Sequence, residues 1–366
     1  MIAPAIGELV RVPGLALSLR LIAQTKGEAF YRGEIASTLA RHAAAHGGAM
    51  TEDDLAAYRP EWVDPIARGV RGRDGAHYAL HEIPPNGQGI AALIALGIVD
   101  HLPIWREAID GARIDRPELQ HLLIEAMKLA FADTYAQVAD ARAMRVGPAQ
   151  LLDDAYLAER ARCIDARRAQ DFRAGTPPRV GTIYLSTADE HGMMVSLIQS
   201  NYMGFGSGIV VPGTGVSLHN RGHGFSVDPA HPNCVAPGKR PFHTIIPAFL
   251  SRDGEPQMSF GVMGGNMQPQ GHMQTLVRMI DHAQNPQAAC DAPRWRFNTG
   301  MEINAEPTMS ADTVQGLKDR GHQIAVINDS YQDFGAGQFI WRAGDPAVEG
   351  YVIASDSRRD GLAAGF

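Results

Sequence analysis

The order of apolar and polar positions changes character near the middle of the chain. Up to about residue 180 the apolar residues recur with helical spacing; beyond it, short alternations rich in glycine and β-branched residues take over. Leu15, Leu17, Leu19, Leu21 and Ile22 begin an apolar helix, and helix formers continue from Ala29 to Ala45, ending at Gly47-Gly48. Thr51, followed by Glu52, Asp53 and Asp54, predicts an N-cap for the helix TEDDLAAY, whose acidic first turn suits the helix dipole. Short strands are predicted at Pro65–Val70 and His77–Glu82. The turn PPNGQG (84–89) then leads into the helix IAALIALGIV. A long amphipathic helix is predicted over Pro117–Ala139, with Leu122, Leu123, Ala126, Leu129, Ala130 and Ala132 on one side. A last helix, around Ala155–Ala166, precedes a Pro-containing linker.

From Thr182 onward YLSTAD, MMVSLIQ, GIVVPGTG, TIIPAFLS and EPQMSFGVMGG predict antiparallel strands with tight turns, and a helix follows near His272–Asp281. Helices, a linker, then strands and a helix imply an α/β layered fold whose sheet is covered by helices. There is no internal repeat and no low-complexity tract. With 366 residues the chain can form two domain-sized units or one large layered core.

Composition narrows the function classes. A net charge of −7 gives a phosphate backbone nothing obvious to bind. The Arg-rich stretch 158–180 has no interleaved aromatic residues, so a solvated helix running into a linker accounts for it better than a nucleic-acid patch. The three cysteines, Cys163, Cys234 and Cys290, lie far apart, without disulfide-framework or zinc spacing. No apolar run reaches the ~18 residues of a membrane span, and the N-terminus lacks the pattern of a secretion signal. A cytoplasmic protein without cofactor is expected.

Two features carry chemistry. Gly181-Thr182 opens the strand-like run GTIYLSTAD, where a small residue before a strand-initial Thr suits a masked nucleophile. If that bond breaks, the Thr182 hydroxyl attacks while its own α-amine, with a pKa near ~7.7–8.0, takes the proton. The bland alternative is an ordinary β-branched strand residue. Gly264-Gly265 ends a strand before a helical segment. Their backbone N–H groups can face developing negative charge, or the pair can simply form a positive-φ turn. No Lys-Ser/Thr follows, so this is not a P-loop, and GFGSG (204–208) precedes strand residues rather than a helix. His219 and His223 have i,i+4 spacing, but HNRGHG is too rich in Gly and Asn for a helix, and no carboxylate adjoins it. No metal site is predicted. His219 and His223 are assigned to a polar turn.

Together the stretches AFYRGEIA, MTEDDLAAYRPEW, PPNGQGIAAL, EAMKLAFAD, TIYLSTADEHGMMVS, FGSGIVVPGTGVSLHN, APGKRPFHTIIPAF and GVMGGNMQPQGH resemble the gamma-glutamyltransferase (gamma-glutamyltranspeptidase) family, and they occur in the family's order. The resemblance implies an N-terminal-nucleophile hydrolase with an α-β-β-α sandwich. Residues 1–181 would then be the C-terminal part of a large subunit, and 182–366 an entire small subunit. It further implies cleavage between Gly181 and Thr182, with Thr182 as nucleophile. Ser200 would be the neighbouring hydroxyl, and Gly264 and Gly265 the oxyanion-hole glycines. The partners implied are a small amide substrate and water or an amine as acceptor. The two fragments would stay associated, and a homodimer of such pairs is compatible with the family.

The departures point to a branch. Gly224 stands where glutamyl-specific members have an Asp for the substrate's α-amino group. His243 and Thr244 replace two site-lining serines. Tyr202 takes the place of an Asn, which is displaced to Asn201, and Arg221 replaces a neutral amide. These changes resemble the cephalosporin-acylase and gamma-glutamyltransferase-like branch, in which Arg221 and His243 would meet a carboxylate on the acyl chain. The chain also begins inside the family's large subunit. Either it is a fragment, or its start lies further upstream, or another chain supplies the rest. The expected function is an autoprocessing amidase or acyltransferase working through an acyl-Thr intermediate; the alternative is a silent truncated chain.

Overall fold

The computed structural model describes residues 4–105, 113–173, 181–329 and 333–366. These fall into two compact units. The smaller comprises the described residues up to Trp62 together with Phe205–Asn220; the larger comprises Val63–Gly204 and Arg221–Phe366.

The larger unit is built on a six-stranded antiparallel sheet, in the order β1 (Ile66–Arg71), β2 (His77–Glu82), β7 (Ala248–Arg252), β8 (Glu255–Met263), β12 (Ala336–Arg342) and β13 (Tyr351–Ser355). One face is covered by α5 (Gly89–Asp100) and α8 (Met267–Ile280), and α6 (Pro117–Gln137) packs on α5. On the other lies a two-stranded sheet, β3 (Gly181–Ala188) and β4 (Met194–Tyr202), packed on β8 and β12. Alternation along β8 serves both layers. Met258, Phe260 and Val262 join the helix-side core, while Ser259 and Gly261 meet the hairpin. Gly261 is needed there, since a Cβ would sit 2.5 Å from a ring carbon of Tyr184. A second sheet orders β11 (Gln323–Val326), β10 (Glu302–Ala305) and β9 (Trp295–Thr299), with α10 (Ala311–Asp319) linking β10 to the parallel β11. The unit also holds the short helices α7 (Asp154–Ala161) and α9 (Pro286–Asp291).

The smaller unit holds α1 (Pro13–Thr25), α2 (Glu28–Arg32), α3 (Glu34–Ala45), α4 (Glu52–Ala57) and a short ribbon of β5 (Val210–Val211) with β6 (Val216–Ser217). Ala29, Ile35, Leu39 and Val211 form its core. Thr51 caps α4 as expected, in a reciprocal capping box with Asp54.

Most predicted elements appear within a few residues of their expected ends, and the exceptions have local causes. The helix expected from Ala29 to Ala45 is broken at Gly33, whose backbone is extended. Leu15, Leu17 and Leu19 remain exposed, because a spacing of two cannot keep to one face of a helix. α8 starts at Met267, ahead of the expected His272. Pro269 falls in the first turn, where a missing N–H costs nothing, and Gly271 lets the helix approach Val262. α6 was expected to be amphipathic, yet Gln120, His121, Glu125 and Lys128 on it are buried as fully as its leucines. HNRGHG is not wholly irregular: Arg221–Gly224 forms one 3-10 turn. Of the Arg-rich stretch, residues 174–180 lie outside the described residues; upstream, Arg160 pairs with Asp133 at 2.9 Å.

Candidate active site

Thr182 is the second residue of β3 and is 8% exposed. The ladder pairs Gly181 with Tyr202 and Ile183 with Gln199, and its register shifts between them, which places Thr182 at an irregularity opposite Ser200. Its Oγ1 donates to Ser200 Oγ at 3.2 Å, and the same oxygen accepts from the Tyr202 N–H at 2.8 Å. Thr182, Tyr184 and Ser186 face inward on β3, while Ile183 and Leu185 are exposed. A cavity of about 560 Å³ adjoins Thr182, lined also by Tyr184, Ser186, Ala336, Phe339 and Met263, the residue before Gly264.

Tyr202 adopts φ +78°, a left-handed conformation that is costly for a bulky residue. Its ring lies under Arg221, whose guanidinium carbon is 4.3 Å from the ring centroid. Arg221 is buried and donates through Nη1 to Thr244 Oγ1 at 2.7 Å. Burial lowers its pKa to about 10, which still leaves it cationic at neutral pH. Burial likewise raises the Tyr202 phenol, so the ring stays neutral.

Gly264 and Gly265 have φ +128° and +62°, immediately before α8. Their carbonyls accept from Met267 N and Gln268 N, each at 3.1 Å, and so point into the helix. In a trans peptide the N–H lies opposite the C=O, so the Gly265 and Asn266 N–H groups point out of the positive end of α8. That polarity suits a developing oxyanion.

The gamma-glutamyltranspeptidase family model matches residues 2–366. The chain belongs to the gamma-glutamyltranspeptidase family. Among its relatives, the glutathione hydrolase-like YwrD proenzyme of Bacillus subtilis (strain 168) is 35% identical over 373 residues, with 100% of this chain and 67% of the relative covered. The oxamate amidohydrolase proenzyme of Klebsiella pneumoniae is 34% identical over 369 residues, again covering 100% and 67%. The crystal structure of cephalosporin acylase from Bacillus halodurans superposes with a TM-score of 0.90 at 48% identity, covering 100% of this chain and 64% of that one. The chain thus spans about two thirds of the length of these relatives. The fold is that of the N-terminal-nucleophile hydrolases, in the branch that holds cephalosporin acylase and glutathione hydrolase-like proteins.

Against that family pattern, Gly224 is instructive. A Cβ on it would lie 2.8 Å from the Phe242 carbonyl oxygen, so a side chain at this position would require the backbone to shift. His243 is half-buried, and its Nδ1 accepts from Ile245 N at 3.2 Å. Asn201 is exposed, whereas Ser200 and Tyr202 on either side of it turn inward. His223 is exposed in its 3-10 turn, and His231 is tied into a turn through Asn233 N and the Tyr135 carbonyl.

Sequence reasoning missed three groups. Gln88 donates to the Thr244 and Gly265 carbonyls. Asn266 donates to Tyr135 Oη at 2.5 Å. The third is the one group of potential metal ligands among the described residues, His121, Glu125 and His322, which lies within the core. There Lys128 already bonds Glu125 at 2.7 Å and His322 Nε2 lies 2.8 Å from His121 Nδ1. Only the PPNGQG motif drew attention to Gln88, and it suggested a turn.

Proposed function

We propose that the chain is an autoprocessing amidase or acyltransferase whose acyl donor carries a carboxylate on the acyl chain. The observation that carries this reading is the buried, hydrogen-bonded Thr182 at the start of β3, with Ser200 on its hydroxyl. In the first step Thr182 Oγ attacks the Gly181 carbonyl carbon and the peptide C–N bond breaks, leaving an ester and a free α-amine. Water then hydrolyses that ester, releasing the Gly181 carboxylate. Mature Thr182 attacks the substrate amide in the same way, its amine taking the hydroxyl proton and passing it to the leaving amine. The N–H groups of Gly265 and Asn266, in the peptides that follow Gly264 and Gly265, stabilise the tetrahedral oxyanion. Water or an amine receives the acyl group, and the fragments ending at 181 and starting at 182 stay associated.

The acyl preference rests on two features. Arg221 is a buried cation bonded to Thr244 and stacked on Tyr202, and a side chain at Gly224 would meet the Phe242 carbonyl. A glutaryl amide satisfies both better than a γ-glutamyl amide. Denaturing gels should show two fragments in the wild type and one band in Thr182→Ala; persistent cleavage in that variant overturns the mechanism. Glutaryl anilide should be hydrolysed at least tenfold faster than γ-glutamyl anilide at equal concentration. A γ-glutamyl preference overturns the acyl assignment. Ammonia release from oxamate, whose carboxylate adjoins the amide, shows whether Arg221 accepts shorter acids.

A further inference from the structure

Gly264-Gly265 presents a physical difficulty for an oxyanion hole. Two consecutive glycines have the least restrained backbone available, yet the site needs the Gly265 and Asn266 N–H groups, in the peptides that follow them, held to within a fraction of an ångström. A neighbouring group has to fix these peptides.

Gln88 is the group so placed. It follows the turn at residues 84–87 and directly precedes α5, and it is fully buried. Its Nε2 donates to the Gly265 carbonyl at 2.7 Å and to the Thr244 carbonyl at 2.6 Å. A primary amide has two N–H donors, and both are used. The Gly265 carbonyl therefore carries two donors, Gln88 Nε2 and Gln268 N, which fixes the plane of the peptide that follows Gly265. The backbone of the same turn is strapped to the other wall of the site. Gln88 N donates to the His243 carbonyl at 2.9 Å, and His243 N donates to the Asn86 carbonyl at 2.9 Å. Thr244, whose carbonyl Gln88 holds, also accepts from Arg221 through its side chain.

We infer that Gln88 is a positioning residue, an amide clip that holds the glycine pair and the Thr244 wall in one geometry for the reaction. The inference rests on the amidase reading above. Gln88 touches no reacting atom; it acts through the peptides it holds. Removing its donors should lower kcat roughly 10- to 100-fold, the scale of a small misplacement of catalytic groups, with little change in KM.

Two near-isosteric variants test this. Gln88→Met keeps volume and loses both donors. Gln88→Glu keeps shape and faces two carbonyls with oxygens. Both are compared with wild type and Thr182→Ala for glutaryl-anilide hydrolysis, and for hydrogen exchange of residues 264–268. The expected result is a reduced kcat with KM within threefold, and faster exchange confined to that segment. Gln88→Glu should recover towards wild type as pH falls, because a protonated carboxyl again donates one hydrogen bond. Wild-type kcat in both variants, or unchanged exchange at 264–268, overturns the clip. If wild type shows no Thr182-dependent turnover, the amidase reading fails. The exchange data then decide the clip alone, faster exchange upholding it.

Discussion

At the scale of single residues the two site glycines are not equivalent. Gly265 at φ +62° occupies the left-handed region that an alanine can enter at a cost of about 1 kcal/mol. Gly264 at φ +128° lies outside it, and a Cβ there would sit 2.9 Å from the Gly335 Cα. Gly264→Ala should therefore lower kcat about 100-fold or more, the scale of losing an oxyanion donor, and Gly265→Ala considerably less. Steady-state kinetics of the two variants, with melting curves as a control for folding, check this order. Thr182 and the glycine pair stood out in the sequence only through the family motifs around them, because a strand-initial Thr is an ordinary β-branched choice and a Gly-Gly ahead of a helix is equally a turn. Gln88's part was not legible, because its partners are main-chain carbonyls, which every residue carries.

Among the elements, α6 departs furthest from its sequence pattern. Helical spacing located it within two residues of its end, but its polar side is as buried as its apolar one. Lys128 bonds Glu125 at 2.7 Å and the Gln170 carbonyl at 3.0 Å, and Glu125 also accepts from Gln170 N. Desolvation raises the pKa of Glu125 and lowers that of Lys128, each partly offset by the other's charge. Such a pair is costly to break from one side only. Lys128→Met should destabilise the protein by about 3–5 kcal/mol, and Glu125→Leu/Lys128→Met by less than that single change. Urea denaturation of both variants measures it; equal losses would show that the pair is not coupled. The periodicity of a helix cannot reveal this, since a polar stripe looks the same whether water or another polar layer faces it.

In the molecule as a whole, buried neutral histidines tie separate segments together. His322, just before β11, bonds His121 on α6, and burial lowers its pKa to about 2. The unfolded chain takes up a proton there below about pH 6.5, whereas the folded one does not, so this contribution is complete above pH 6.5 and lost as pH falls. Relative to His322→Gln, the wild type should lose about 2 kcal/mol between pH 7 and pH 5, read from denaturation midpoints at both values. A constant difference would refute the assignment. The same division between pattern and packing runs through the β3–β4 hairpin. The strand period of two, the turn at Asp189–Gly192 and the position of Thr182 are all consequences of local chemistry in the sequence. The phase of that period is not. Ile183, Leu185, Val195 and Leu197 face outward, while Tyr184, Ser186 and Ser196 form a hydrogen-bonded layer inside. A pleated strand offers two faces of equal standing, and which one is buried depends on what it packs against. Here Ser259 and the open position at Gly261 on β8 receive the hydroxyl face, so only the folded chain decides that Thr182 points inward.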